Sequence, residues 1–247
     1  MNNNIMFHSL SIDNFFKNPD LIRKWGLSLK FKKDKDGRWP GERSGLISDI
    51  DLNLNNLILS KIFSCYINFK YENVNWETSN MVFQKIKPFS KKKNDIRNIG
   101  WIHQDNSWNF AGIIYLTPNI HFESGTSLYK MKEKYKDLKN EMLCQEQKIN
   151  FYKNKKFDEK KYKKELLFNN GMFVEKVRYN NFYNRMICFD ANEYHGARGF
   201  YNHNNEERLT IVFFLRNITF SENTILNRFY NDSYNLDKEI ENKILKL

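Results

Sequence analysis

The feature that most constrains this chain is a series of short apolar, aromatic and β-branched segments between residues 99 and 216, each bounded by turn residues. Segments near 99–104, 109–117, 126–130, 172–179, 184–190 and 207–216 each have the length of one strand. Short strands divided by turns specify an antiparallel sandwich or barrel rather than a βαβ sheet. One stretch breaks the series. Residues 131–168 are rich in Lys and Glu, and Tyr135, Leu138, Met142, Leu166, Leu167 and Phe168 recur there at helical spacing. This predicts one or two helices, each with one apolar side, inserted on the outside of the β core.

Upstream, residues 1–16 read as one edge strand and a turn. Asn18-Pro19-Asp20 opens a helix, because Pro fits the first turn and Asp suits the positive end of the dipole. Leu21, Ile22, Trp25 and Leu29 follow as a core-facing stripe. Lys32 to Gly45 is turn-rich, residues 49–65 form a second amphipathic helix, and 79–88 alternate as a strand. The class is therefore mainly β with flanking helices. With no internal repeat and no Pro- or Gly-rich linker, residues 1–247 form one domain: support (1–98), core (99–216) and C-terminal tail (217–247).

With 40% hydrophobic and 16% aromatic residues, disorder is excluded. A net charge of +11 invites a nucleic-acid reading, but residues 130–164 hold thirteen Lys against six acids and so carry +7 of it. A nucleic-acid partner is thus not favoured. It stays as the alternative: a non-catalytic jelly-roll or β-sandwich module binding a polyanion through its Lys-rich insertion. Cys65, Cys144 and Cys188 are widely spaced and odd in number, which disfavours a disulfide framework or a Cys-type zinc site and suits reduced thiols. No signal peptide or membrane span is read, so a cytoplasmic protein is expected.

The chemistry gathers around Trp101-Ile-His103-Gln-Asp105, ahead of the apolar run Phe110 to Pro118. In extended chain, residues i and i+2 face one way, so His103 and Asp105 aim at one point. They make two-thirds of the facial triad that holds non-haem iron(II). His195, after the turn that closes segment 184–190 and before a small residue, is the candidate third ligand. Arg208 and Thr210 share one face of a strongly apolar strand, and an inward Arg there needs an anion. Ordinary roles remain open: His195 capping a turn, Arg208 pairing with Asp190, Glu206 or Glu207. Trp101, Trp108 and Phe110 are candidate pocket walls. His121 and His203 fall in polar loops and read as solvated, and His8 carries no chemistry.

In order and spacing, His103-x-Asp105, His195 and Arg208-x-Thr210 resemble the 2-oxoglutarate- and iron(II)-dependent dioxygenases. Ala111-Gly112-Ile-Ile-Tyr115-Leu116-Thr-Pro118 with Ser124-Gly125-Thr126 resembles their prolyl-hydroxylase-like branch. The resemblance covers residues 99–216. It implies a double-stranded β-helix (jelly roll), with iron(II) held by His103, Asp105 and His195. 2-Oxoglutarate would chelate the metal, its far carboxylate meeting Arg208, Thr210 and Tyr115. O2 and an unidentified substrate to be hydroxylated complete the set. A cupin-like enzyme without the cosubstrate is a second enzymatic reading, separated from the first by whether Arg208 faces solvent. Residues 1–98 and the insertion carry no substrate motif.

Overall fold

The computed structural model describes residues 7–136, 145–202 and 206–221 and the isolated positions 242 and 244. Leu138, Met142, Cys144 and His203 lie outside the described residues, as does the tail beyond residue 221 apart from those two positions.

The apolar strand at the end of the series, Arg208–Phe220 (β10), lies inside the larger sheet and shows why that sheet is buried on both faces. Leu209, Ile211, Phe213 and Leu215 point into one apolar cluster with Met81, Phe83, Phe110 and Ile114. Arg208, Thr210, Val212 and Phe214 alternate with them toward the second sheet. β10 pairs along its length with Val74–Ile86 (β4), from Arg208↔Ile86 to Phe220↔Val74, and on its other side with Phe110–Tyr115 (β5). Leu10–Ile12 (β1), Lys32–Lys33 (β2), Glu42–Arg43 (β3) and Met186–Asp190 (β8) complete seven antiparallel strands in the order β1-β8-β5-β10-β4-β3-β2. A smaller sheet of Thr126–Met131 (β6), Phe173–Tyr179 (β7) and Tyr194–Ala197 (β9) has the order β7-β6-β9. The two face each other, since Ala111, Tyr115 and Phe189 of one pack with Leu128 and Tyr179 of the other. The result is mainly β with flanking helices, a double-stranded β-helix.

Helices cover the outer face of the larger sheet. Pro19–Ser28 (α1) starts where Asn18 accepts the Leu21 N–H at 3.1 Å. It approaches so closely that a Cβ on Gly26 would meet the Phe83 ring. Ile22, Trp25 and Leu29 pack on the core as expected, whereas Leu21 is 61% exposed. The helix expected over 49–65 is two: Ile47–Ile50 (α2) and Leu52–Phe63 (α3), divided at Asp51, whose carboxylate caps the second through Leu54 N. The first 16 residues supply the expected edge strand, β1. The strand read as 79–88 begins earlier, at Val74, and the one read as 207–216 continues to Phe220. Cys65 and Cys188 are free thiols, and burial pushes Cys188 up to about 12.

Two expectations are corrected. Residues 99–104 form no strand; their one ladder contact is a bridge between His103 and His195. Side chains replace the ladder. Asn170 accepts from Ile102 N at 3.1 Å and donates to Gly100 O at 2.8 Å, and Asn169 donates to Ile102 O at 3.0 Å. Both Asn sit at the end of Glu159–Gly171 (α5), which also packs Tyr162 and Leu166 against Trp101. The insertion, second, is not purely external: besides α5 it supplies Glu146–Tyr152 (α4), whose Lys148 and Tyr152 line the central cavity. Leu166 is buried as expected, but Leu167 and Phe168 are exposed.

Removing a side chain that satisfies buried backbone groups costs about 1–3 kcal/mol. Asn170→Ala should therefore lower unfolding stability by about that much in urea titrations, and a neutral result would show that the 99–104 segment is held by other means.

Candidate functional site

A cavity of about 450 Å³ lies between the sheets, with His103, Asp105, His195 and Arg208 in its lining. Local backbone contacts place the first three. His103 and His195 exchange N–H···O=C bonds of 2.9 and 2.8 Å, and Asp105 N–H donates to Ala191 O at 3.0 Å. The His ring centroids are consequently 4.5 Å apart, and one ligand atom from each of the three residues lies within 4.8 Å of the others. Among the described residues this is the one group of three His, Cys, Asp or Glu side chains so arranged.

Both imidazoles are oriented the same way. His103 Nδ1 is 2.9 Å from Trp101 O and His195 Nδ1 is 2.8 Å from Glu193 O. A carbonyl can only accept, so Nδ1 carries the hydrogen and each Nε2 keeps its lone pair for the cavity. Asp105 faces both, with Oδ2 3.1 Å from His195 Nε2 and Oδ1 3.9 Å from His103 Nε2. Burial pulls His103 down to about 4, helped by the neighbouring His195 charge and opposed by Asp105. Its side chain is nevertheless 42% exposed, and it lines the cavity. For Asp105, burial pushes upward, but the close approach of His195 and the neighbouring Arg43 charge outweigh it and bring the carboxyl to about 2. At neutral pH the group thus offers a neutral His103 and an ionised Asp105. Two imidazole nitrogens and one carboxylate on one side fit a first-row divalent metal that keeps open positions.

Arg208, at the start of β10, is 7% exposed. Its Nη1 donates to Ser124 O at 2.8 Å, its guanidinium lies 5.3 Å from the Phe200 ring centre, and Nε is buried without a partner. No carboxylate pairs with it among the described residues; Glu207 bonds Lys85 and Lys87 instead. Burial lowers its pKa, opposed by the neighbouring Tyr115. The Tyr115 phenol donates to Thr126 Oγ1 at 2.9 Å, so the loop Ser124-Gly125-Thr126 holds both Arg208 and Tyr115. Thr210 stands beside Tyr115 in register, but its hydroxyl makes a long, 3.5 Å contact with Gln84 O and does not line the cavity.

Trp101 and Trp108 line the cavity; Phe110 does not, because alternation along β5 turns it into the opposite cluster. His121 is not solvated as its polar loop suggested. It is buried, stacks on Phe122, and accepts from Glu123 N at 3.2 Å. His8 packs near Tyr66 and takes no part in the site. Arg43 and Lys148, absent from the sequence reading, also line the cavity. Nothing in sequence distinguishes Lys148 from the other Lys of its segment, while Arg43 follows the Trp39-Pro40-Gly41 turn, whose Trp was the only hint.

Over residues 7–215 the sequence matches the family described as "Family of unknown function (DUF6445)". The chain belongs to that family. No curated protein matches it. Among solved structures, the chain is similar to a prolyl hydroxylase from Trichoplax adhaerens in complex with a hypoxia inducible factor peptide fragment (13% identity, 87% of this chain and 84% of that one, TM-score 0.47). It is also similar to a Pseudomonas putida prolyl-4-hydroxylase (10%, 84% and 91%, TM-score 0.41). A third is HygX from Streptomyces hygroscopicus with nickel, 2-oxoglutarate and hygromycin B bound (11%, 86% and 84%, TM-score 0.48). No helix among the described residues is long and apolar enough to cross a membrane.

Burial lowers Lys148 to about 8, with Asp105 opposing, so it sheds its proton above that pH while ordinary lysines hold theirs to near 10.4. Limited acetic anhydride labelling at pH 8.5 with peptide mapping should modify Lys148 ahead of the exposed lysines, and its own labelling rate should fall by more than about tenfold at pH 6.5, where Lys148 is protonated.

Proposed function

We propose that this protein is an iron(II)- and 2-oxoglutarate-dependent oxygenase that hydroxylates a substrate yet to be identified. The observation that carries the reading is the convergence of His103, Asp105 and His195 with both Nε2 lone pairs freed by carbonyls on Nδ1. The buried Arg208, with no carboxylate paired to it among the described residues, supports the cosubstrate half and speaks against the cupin-like alternative.

His103, Asp105 and His195 hold the metal. When bound, iron(II) and 2-oxoglutarate supply oxygen activation coupled to oxidative decarboxylation of the cosubstrate. The carbonyls of Trp101 and Glu193 keep the imidazoles in the ligating tautomer, and Asp105 brings the negative charge that favours a dication. Arg208 would receive the far carboxylate, its guanidinium steered by Ser124 O and its buried Nε free to donate to the anion. Tyr115 positions that anion through Thr126, and Thr210 lends its place on the strand rather than a free hydroxyl. Trp101, Trp108 and Phe189 exclude water from the reacting centre.

Anaerobic iron(II) titration should give a stoichiometry near one, with a visible charge-transfer band once 2-oxoglutarate is added. His103→Ala and Asp105→Ala should each abolish both signals. Arg208→Gln should keep metal binding but weaken 2-oxoglutarate by about 10- to 100-fold, the size expected for loss of a charged hydrogen-bonded pair. Wild-type protein that binds iron without ever developing the band would refute the cosubstrate assignment.

A further inference from the structure

The cavity holds more positive charge than the proposed chemistry uses. On the oxygenase reading, a divalent metal, the two carboxylates of the cosubstrate, Asp105 and Arg208 together sum to zero charge. Arg43 and Lys148, on the same cavity wall system, are left over. Arg38 also lines the cavity but is exposed and paired with Asp36 at 2.8 Å.

Neither surplus cation makes a salt bridge among the described residues, and the carboxylates that act on them, Asp105 on both and Asp34 on Arg43, do so from beyond bonding distance. The Arg43 guanidinium lies 4.2 Å from the Trp39 ring centre and 5.8 Å from that of Phe214, and its Nε is buried with no hydrogen bond. Lys148 Nζ touches the neutral Gln145 Oε1 at 3.0 Å and lies 5.4 Å from the Trp101 ring centre. Trp39 Nε1 and Asn80 Oδ1 are buried in the same wall, also with no partner. Buried donors and cations are costly unless something binds them. Two orphan donors, Arg43 Nε and Trp39 Nε1, and the two cations, set among aromatic rings, describe the receiving end for an anionic ligand.

We propose that the substrate is a small anion, its carboxylate or phosphate received by Arg43 and Lys148 and its planar or apolar body resting against Trp39, Trp108 and Phe214. This rests on the oxygenase reading for what happens to the substrate, but the anion site can be tested without it. Two segments carry the cations into the cavity's lining: β3 with its preceding turn, and α4 of the Lys-rich insertion. They meet where Gly37, with φ of +67°, lies so close to Ile149 O that a Cβ would sit 2.6 Å from it.

Calorimetric titration of the full chain with indole-3-acetate, phenyl phosphate and the neutral indole-3-acetamide tests this, first metal-free, then with cobalt(II) and saturating 2-oxoglutarate. One or both anions should bind in both states, and the amide at least about tenfold more weakly, as expected for loss of a charged hydrogen bond. Arg43→Gln and Lys148→Gln should each weaken the anions about tenfold and leave the amide unchanged. The stronger anion identifies the headgroup as carboxylate or phosphate. Should Arg43→Gln fail to fold, Lys148→Gln on its short helix still decides. Equal binding of acid and amide, no binding by either anion, or loss on Arg208→Gln but not on the other two substitutions, would each overturn the proposal. Absence of cobalt binding in the same samples would instead sink the oxygenase reading while leaving the anion site standing.

Discussion

Two hydrogen bonds, exchanged between the backbones of His103 and His195, hold the rest of the site in place. A pair that exchanges both bonds sets its two side chains on the same side of the local ladder, which is why the imidazoles lie together. His195 is anchored because β9 is paired with β6. His103 is anchored because Asn169 and Asn170 satisfy its irregular segment from the end of α5. Asp105 follows two residues on, tied to Ala191 just beyond β8. Three supports far apart in sequence therefore fix three side chains to one point.

Much of this was legible in sequence because alternation survives burial. β5, β6, β7, β8 and β10 all fall where apolar residues and turn signals put them, and the His-x-Asp spacing with His195 picked out three side chains that the fold brings together. Segment 99–104 misled because its composition is strand-like, whereas what decides its conformation is the side chains of two Asn nearly seventy residues away. Asp51 split the second helix by capping, a local signal hidden inside a continuous apolar pattern. Phe110 shows the limit of proximity arguments: it neighbours Trp108 in sequence but enters the strand on the opposite face.

Charge was the hardest feature to interpret from sequence. The +7 of residues 130–164 was read as part of helices lying outside the β core, and most of its described lysines are exposed. Lys148 does not, because α4 turns it toward Trp101 and the cavity. Arg208 and Arg43 raise the same issue in the core: a guanidinium without a carboxylate marks where something outside the chain is expected.

The close meeting of the Gly37 turn with α4 has a further consequence. Part of the cavity's lining comes from two excursions that hang off the sheets, while His195 belongs to β9, His103 is bridged to it and Asp105 is tied to Ala191. Sequence drift in either excursion can reshape what enters without loosening the strand pairing or disturbing the His–Asp–His arrangement. Comparing the two excursions across the family, rather than the β core, is the way to ask whether the lining of the cavity differs among its members.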